Sequence, residues 1–210
     1  MLELHRNRKY LRDFFLIKDD VPAFEESDIM LAMRFLADRA VQLGKPLIII
    51  LGLGSASGSR TGAAPLAEMM ESLTKRPNIS VVTCMGNEAN NQCHYKGTVT
   101  SALVPDVMEV NVGGTGKGFT MEIWAESLDI LSVSIESPSG EYVPRIPARM
   151  GASMEYTFLY EGSTVTVDYQ ITENVAGMEV IFIRLKTPVE GTWKFYVYSL
   201  TNIKGSYNAW

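Results

Sequence analysis

The sequence predicts an α/β unit, a helix plus a βαβ on a partial parallel sheet, followed by an all-β jelly-roll or β-sandwich domain. Three observations carry this. Near Thr98 the hydrophobic pattern changes from helical spacing and continuous apolar runs to strict alternation. The charge changes at the same place: residues 1–98 hold 12 basic and 11 acidic side chains, a net of +1, whereas residues 99–210 hold 7 and 13, a net of −6. Turn signals then recur at short intervals through the second half. The expected domains are therefore 1–98 and 99–210.

In the first half, Ser27 is placed to cap a helix that runs to about Leu43 and stops at Gly44. Ile29, Ala32, Met33, Leu36, Ala40 and Leu43 follow helical spacing, and Leu31 and Phe35 widen the apolar face. Lys45-Pro46 breaks that pattern before Leu47–Leu51, a continuous apolar run expected to form a strand covered on both faces. Pro65 opens a second helix that carries Leu66, Met69, Met70 and Leu73 and ends near Pro77. Ile79 to Cys84 follows as a second buried strand, with Cys84 expected as a small core residue.

The second half alternates with period two. Phe119, Met121 and Ile123 face one way, as do Leu131, Val133 and Ile135; Val165, Val167, Tyr169 and Ile171; and Trp193, Phe195 and Val197. Gly113–Gly116, Pro138–Gly140, Glu161-Gly162 and Glu190-Gly191 separate these runs, which gives seven or eight short antiparallel strands. Such a half carries its own core and is expected to be independently stable. The first half, with few sheet neighbours, is expected to expose strand edges and to self-associate through them.

Composition narrows the function. The net charge of −5 with no basic stripe argues against nucleic acid as a partner. Hydrophobic residues at 46% and charged residues at 20% describe an ordinary globular chain and not a disordered one. The longest apolar run, Leu47–Leu53, is too short to cross a bilayer, and no signal-peptide pattern opens the chain, so no membrane partner is expected and a cytoplasmic location is favoured. Two cysteines, Cys84 and Cys93, do not make a disulfide scaffold.

Several stretches invite chemistry. Gly52-Leu-Gly54-Ser-Ala-Ser57 follows a strand, but a dinucleotide fingerprint needs glycine where Ser57 stands. Gly113–Gly118 has the look of a phosphate loop, yet Gly118 replaces the magnesium-holding Ser/Thr and no helix follows. Both are better read as turns. His5 reads as a solvated terminal side chain. His94, near Cys93 and Cys84, raises a thiol–imidazole pair or a metal site, but spacing supplies no third group, so neither metal nor cofactor is expected. The segment Val81 to Glu88 is different. It brings the carboxyl end of a parallel strand to Gly86-Asn87, the place where open α/β sheets put their ligands. Asn87 is then either an amide donor in a crevice or a helix-cap or turn residue.

With its strand, Asn87 resembles the oxyanion asparagine block of subtilisin-like serine proteases, a hydrophobic strand ending Ala-Gly-Asn-Glu-Gly. Leu51-Gly52-Leu53-Gly54 is similar to that family's Ser-Leu-Gly segment, about thirty residues earlier. The wider resemblance is to the clostridial spore-germination subtilases (Csp type), carried by Asn87-Glu-Ala-Asn90, by His94-Tyr95, and by Ser137-Pro-Ser-Gly-Glu-Tyr142 with Pro144-Arg-Ile-Pro147-Ala-Arg149. The last of these looks like the signature of a jelly-roll insertion. The resemblance runs from about Leu11 to Trp210. It implies that Asn87 donates to the oxyanion of a peptide bond under attack, and that Gly52, Leu53, Gly54, Cys84, Met85 and Gly86 bind an extended peptide or protein substrate.

The departures also have consequences. Ala89 stands where glycine is usual, Cys84-Met85 replaces two small alanines and Gly52 replaces the serine; Met85 would narrow the specificity pocket. No His-Gly-Thr-His, Gly-Thr-Ser or Asp-Ser/Thr-Gly block occurs in the 210 residues. The expectation is a central fragment of a serine endopeptidase, inactive in isolation. The alternatives are a pseudoprotease, or a β-sandwich binding module for protein or carbohydrate that uses Trp124, Tyr196 and Tyr198 for sugar stacking.

Overall fold

A computed structural model of the chain describes residues 4, 9–88, 90–114, 116–125, 130–149, 151–172, 178–200 and 204–210. His5, Ala89 and Thr115 lie outside the described residues, as does the side chain of Ile171. The chain divides into two compact units. One comprises Asp19–Asn91 with the residues up to Asp13; the other comprises Gln92–Trp210 with Phe14–Lys18. A short helix α1 (Lys9–Phe15) opens the described chain.

The first unit holds α2 (Glu26–Leu43), β1 (Leu47–Leu51), α3 (Pro65–Thr74) and β2 (Ile79–Thr83). β1 and β2 pair in parallel, from Leu47 opposite Ile79 to Leu51 opposite Thr83. Met33 and Ala37 of α2, Leu73 of α3, Ile49 and Ile79 form one buried cluster. Gly44 ends α2 at φ 60°, where the backbone N–H groups of Gly44 and Lys45 return to Val41 and Ala40, both at 3.1 Å. The start of α2 departs from expectation. Glu25 occupies the cap position, and Ser27 lies inside the first turn with its hydroxyl on the Glu25 carboxylate. Glu26 and Asp28 supply negative charge at that end instead. The Glu26 carboxylate also accepts the Leu66 N–H at 2.9 Å. Because Pro65 has no N–H, Leu66 is the first donor of α3, so this acidic side chain sits at both helix starts.

The strands are not covered on both faces. Ile49 is 7% exposed, whereas its neighbours Ile48 and Ile50 are 68% and 77% exposed, and Val82 is 51% exposed. The residue pattern suits two covered faces, but α2 and α3 both pack on the side of Ile49 and Ile79. Cys84, expected in the core, is exposed for the same reason.

The second unit is an antiparallel sandwich. Among its described residues are ten strands, more than the seven or eight expected: β3 (Tyr95–Val99), β4 (Asp106–Val112), β5 (Gly118–Ala125), β6 (Leu131–Glu136), β7 (Tyr142–Ile146), β8 (Ser153–Thr157), β9 (Thr164–Thr172), β10 (Met178–Lys186), β11 (Gly191–Ser199) and β12 (Gly205–Ala209). They form a six-stranded sheet, β3-β12-β5-β10-β9-β8, and a four-stranded sheet, β4-β11-β6-β7. The alternating residues Val133, Ile135, Val165, Val167, Trp193, Phe195 and Val197 are all fully buried between them. Polar pins cross the interior. Tyr169 of β9 donates to the Ile146 carbonyl of β7 at 2.9 Å. Asp106 of β4 accepts from Tyr207 at 2.8 Å and from Tyr95 at 3.1 Å. Gly97 makes room for this cluster, since a Cβ there would overlap both the Asp106 carboxylate and the Tyr207 ring.

The signature-bearing stretch has a structural role. Ser137–Gly140 turns β6 into β7, with the Gly140 N–H on the Ser137 carbonyl at 2.9 Å. Glu141 receives the Leu159 and Tyr160 N–H groups at 3.0 and 3.1 Å. Arg145 donates to Ser132 Oγ at 2.6 Å, to the Ala102 carbonyl at 2.9 Å and to the Ser199 carbonyl at 3.3 Å. Residues 14–18 also belong to this unit. The Phe14 ring stacks on Phe182 at 5.5 Å, and the Arg184 guanidinium lies 4.4 Å from its centre. Among the described residues no helix is long and apolar enough to cross a membrane.

Candidate functional site

The parallel register places the carboxyl ends of β1 and β2 side by side. Beyond the last paired residues, Leu51 and Thr83, the Cys84 N–H still reaches the Leu51 carbonyl at 3.3 Å. The following segments, Gly52–Gly54 and Cys84–Asn87, then leave the ladder as neighbours. A Cβ at Gly54 would sit 3.8 Å from the Cys84 sulfur, while one at Gly52 would meet nothing within 4 Å. Gly52-Leu53-Gly54 therefore offers exposed backbone with little side chain in front of it. It is not itself a strand: β1 ends at Leu51, because β2 supplies no partner past Thr83.

Gly86 adopts φ 74°, a left-handed conformation that strains a residue with a Cβ, and it redirects the chain after β2. Met85 is 99% exposed, so its side chain fills no pocket formed by the described residues. Asn87 is exposed and precedes a turn in which the Asn91 N–H bonds the Glu88 carbonyl at 2.9 Å and the Asn91 amide bonds the Glu88 carboxylate. No described helix begins at Asn87, which removes the helix-cap alternative. The Glu88–Asn91 clamp escaped the sequence reading; a carboxylate and an amide three residues apart is its signature. Gly52–Gly54 and Cys84 thus leave the two-stranded sheet side by side, and Met85, Gly86 and Asn87 follow Cys84 along the chain, all of them exposed.

The other candidates fall elsewhere. His94 Nε2 lies 2.9 Å from Asn208 Oδ1, and its ring stacks on Trp210 at 4.8 Å, so it has a structural partner and is not paired with a thiol. Among the described residues no group of three His, Cys, Asp or Glu side chains is placed to hold a metal. Gly113–Gly118 links β4 to β5, one in each sheet of the sandwich; a Cβ at Gly118, φ 126°, would collide with the Leu185 carbonyl oxygen. The expected stacking residues also change character. Trp124 is buried and donates to Glu122 at 2.9 Å, the Tyr196 hydroxyl is held by Glu136, and the Arg145 guanidinium lies over the Tyr198 ring at 4.7 Å.

A parallel βαβ unit whose strands run out into exposed, glycine-bearing segments, joined to an antiparallel sandwich, defines a composite α/β and β architecture. Among solved structures it is similar to the CspB protease of Clostridium perfringens, with a TM-score of 0.79 over 92% of this chain and 22% sequence identity. At that identity the likeness is one of fold. The match spans 42% of that protease's own length. Neither a protein-family model nor a curated protein matches the sequence.

Proposed function

We propose that this chain is the central part of a subtilisin-like serine endopeptidase of the Csp type, comprising a partial protease domain, read from sequence as 1–98, and a jelly-roll insertion, read as 99–210, with β3 (Tyr95–Val99) carried by the sandwich. In this reading Asn87 donates its amide to the carbonyl oxygen that turns anionic when a peptide bond is attacked. Gly52–Gly54 and Cys84–Gly86 receive the extended peptide on either side. A donor fixed in advance at that oxygen lowers the barrier without solvent rearrangement. Main-chain recognition along a glycine-rich edge tolerates many peptide sequences.

The observation that carries the reading is the juxtaposition of Gly52–Gly54 with Cys84 at the carboxyl end of paired parallel strands, with Gly86 at φ 74° turning the chain immediately before the Asn87 amide. The fold likeness supports it. Of the three rings named for the sandwich-module alternative, Trp124 is buried, while Tyr196 and Tyr198 stay half-buried. None of the His-Gly-Thr-His, Gly-Thr-Ser or Asp-Ser/Thr-Gly blocks accompanies Asn87 in the 210 residues, so the chain alone is expected to leave peptides uncut and to resist labelling by a serine-directed phosphonate.

The test is reassembly. This chain is co-expressed with polypeptides carrying the His-Gly-Thr-His and Gly-Thr-Ser blocks, and peptide cleavage is followed. Cleavage that falls by about 10²–10³ in kcat for Asn87→Ala matches the loss known for subtilisin's own oxyanion asparagine. Cleavage indifferent to Asn87→Ala would remove the assignment.

A further inference from the structure

The sandwich has an open edge where β7 of one sheet and β8 of the other run along the same cavity. This cavity has a volume of about 140 Å³ and is lined by Val143, Ile146, Met154, Tyr156 and Val165 together with Pro144, Arg145 and Glu155. It is too small for a drug-sized ligand, whose pockets start at roughly 300 Å³. Side chains fit it better than a free small molecule does.

The two bordering edges are guarded differently. β7 carries Pro144, and its register against β6 shifts between Val133 and Ile135, so it offers an irregular template. β8, Ser153-Met-Glu-Tyr-Thr157, is regular, contains neither proline nor lysine, and pairs only with β9. Met154 opposes Val167 and Tyr156 opposes Val165, both fully buried, which places these two side chains on the cavity face. Phe158 bonds towards the β9 side, its N–H on the Ser163 carbonyl at 2.8 Å. By antiparallel alternation Met154 and Tyr156 do the same, leaving the N–H and C=O groups of Ser153, Glu155 and Thr157 facing outward.

This set is self-complementary. Turned antiparallel about Glu155, a second β8 brings its Thr157, Glu155 and Ser153 against Ser153, Glu155 and Thr157. All three outward residues are then paired in a single register. On the inner face Met154, now 52% exposed, meets the second copy's Tyr156 across the cavity mouth. The one unfavourable pair is Glu155 against itself. Opposite Glu155 on β9 stands Thr166, whose hydroxyl donates to it at 3.4 Å; Asp168 and Arg184 pair with each other at 3.2 Å, and Arg145, which lines the same cavity, already donates to Ser132, Ala102 and Ser199.

We propose that β8 is a self-pairing edge: a second copy of this chain docks on it antiparallel about Glu155 and closes the cavity, and the facing Glu155 carboxylates hold the affinity down. This does not rest on the proteolytic reading. The first unit also exposes the face bearing Ile48 and Ile50 and the outer edges of β1 and β2, so the test uses the full chain carrying Ile48→Ser and Ile50→Ser, which weakens the apolar route, and the Thr157→Pro and exchange readouts assign the pairing to β8. Sedimentation equilibrium is compared with and without Glu155→Gln, at low and high salt. Glu155→Gln is expected to tighten the dimer roughly threefold to tenfold, the range for removing a like-charge cross-strand pair. Added salt should strengthen the dimer of the chain that keeps Glu155 and leave that of the Glu155→Gln variant nearly unchanged. Thr157→Pro, which deletes an outward N–H, should return both to monomer. As a second readout, amides of residues 153–157 should become protected from exchange as concentration rises. Equal association with and without Glu155→Gln, or dimers that survive Thr157→Pro with unprotected β8 amides, would overturn the proposal.

Discussion

Ile49 and Ile50 are adjacent, chemically identical and placed in opposite surroundings, so replacing each by alanine isolates the effect of coverage. Ile49 is 7% exposed against α2 and α3; Ile50 is 77% exposed. Truncating a buried isoleucine to alanine costs about 2–5 kcal/mol, from the transfer of the lost carbons plus the cavity left behind. For Ile50 less than a quarter of the side chain leaves water on folding and no cavity forms, so about 0.5 kcal/mol is expected. All three tryptophans, Trp124, Trp193 and Trp210, belong to the second unit, so fluorescence is blind to this change. The long helices α2 and α3 both belong to the first unit, and ellipticity at 222 nm during urea unfolding therefore reports it. Equal midpoint shifts for the two substitutions would refute the one-sided packing and imply that something covers Ile50 in solution.

Gly97→Ala should destabilise the second unit by about 1–3 kcal/mol, because its Cβ collides with Asp106 and Tyr207; tryptophan fluorescence in guanidinium reads this directly. Burial, followed by the Asp106 carboxylate beside it, pushes the Tyr207 hydroxyl up from its ordinary 10.0, and Tyr95 moves the same way for the same causes. A raised folded-state value means that this stabilisation is complete below about pH 10, where the unfolded tyrosine ionises, and is lost as pH rises beyond it. Unfolding midpoints should therefore fall between about pH 9 and 11, less steeply for Tyr207→Phe; parallel curves would count against the network. Arg145→Lys keeps the charge but cannot serve Ser132, Ala102 and Ser199 together, and a loss of about 1–2 kcal/mol is expected by thermal unfolding.

The elements of both units were largely legible because period is a local property. Gly44 and Pro65 marked real boundaries of α2 and α3, and the alternation in Val165–Tyr169 and Trp193–Val197 named buried side chains correctly. What was not legible depended on neighbours. Leu47–Leu51 reads as a doubly covered strand whether or not a second layer is present, so the pattern alone puts Ile48, Ile50 and Cys84 inside. Ser27 lost the cap position to Glu25 because the acidic first turn of α2 already meets the same electrostatic need. Trp124 follows the outward-facing parity of its strand yet is buried, which strand parity does not report. At the candidate site the residues Gly52–Gly54 and Cys84–Asn87 could be named from sequence, but their adjacency needed the β1–β2 register.

Residues 14–18 give the sandwich a boundary that chain order hides. Phe14 covers Phe182, and the Leu16 side chain reaches the space beside Gly118. A truncation that starts at Gln92 would amputate this peptide and leave an aromatic ring and a groove open on the six-stranded sheet. Expression trials of the β half are better served by a short-circuited chain, with Phe14–Lys18 spliced ahead of Gln92, than by a simple cut.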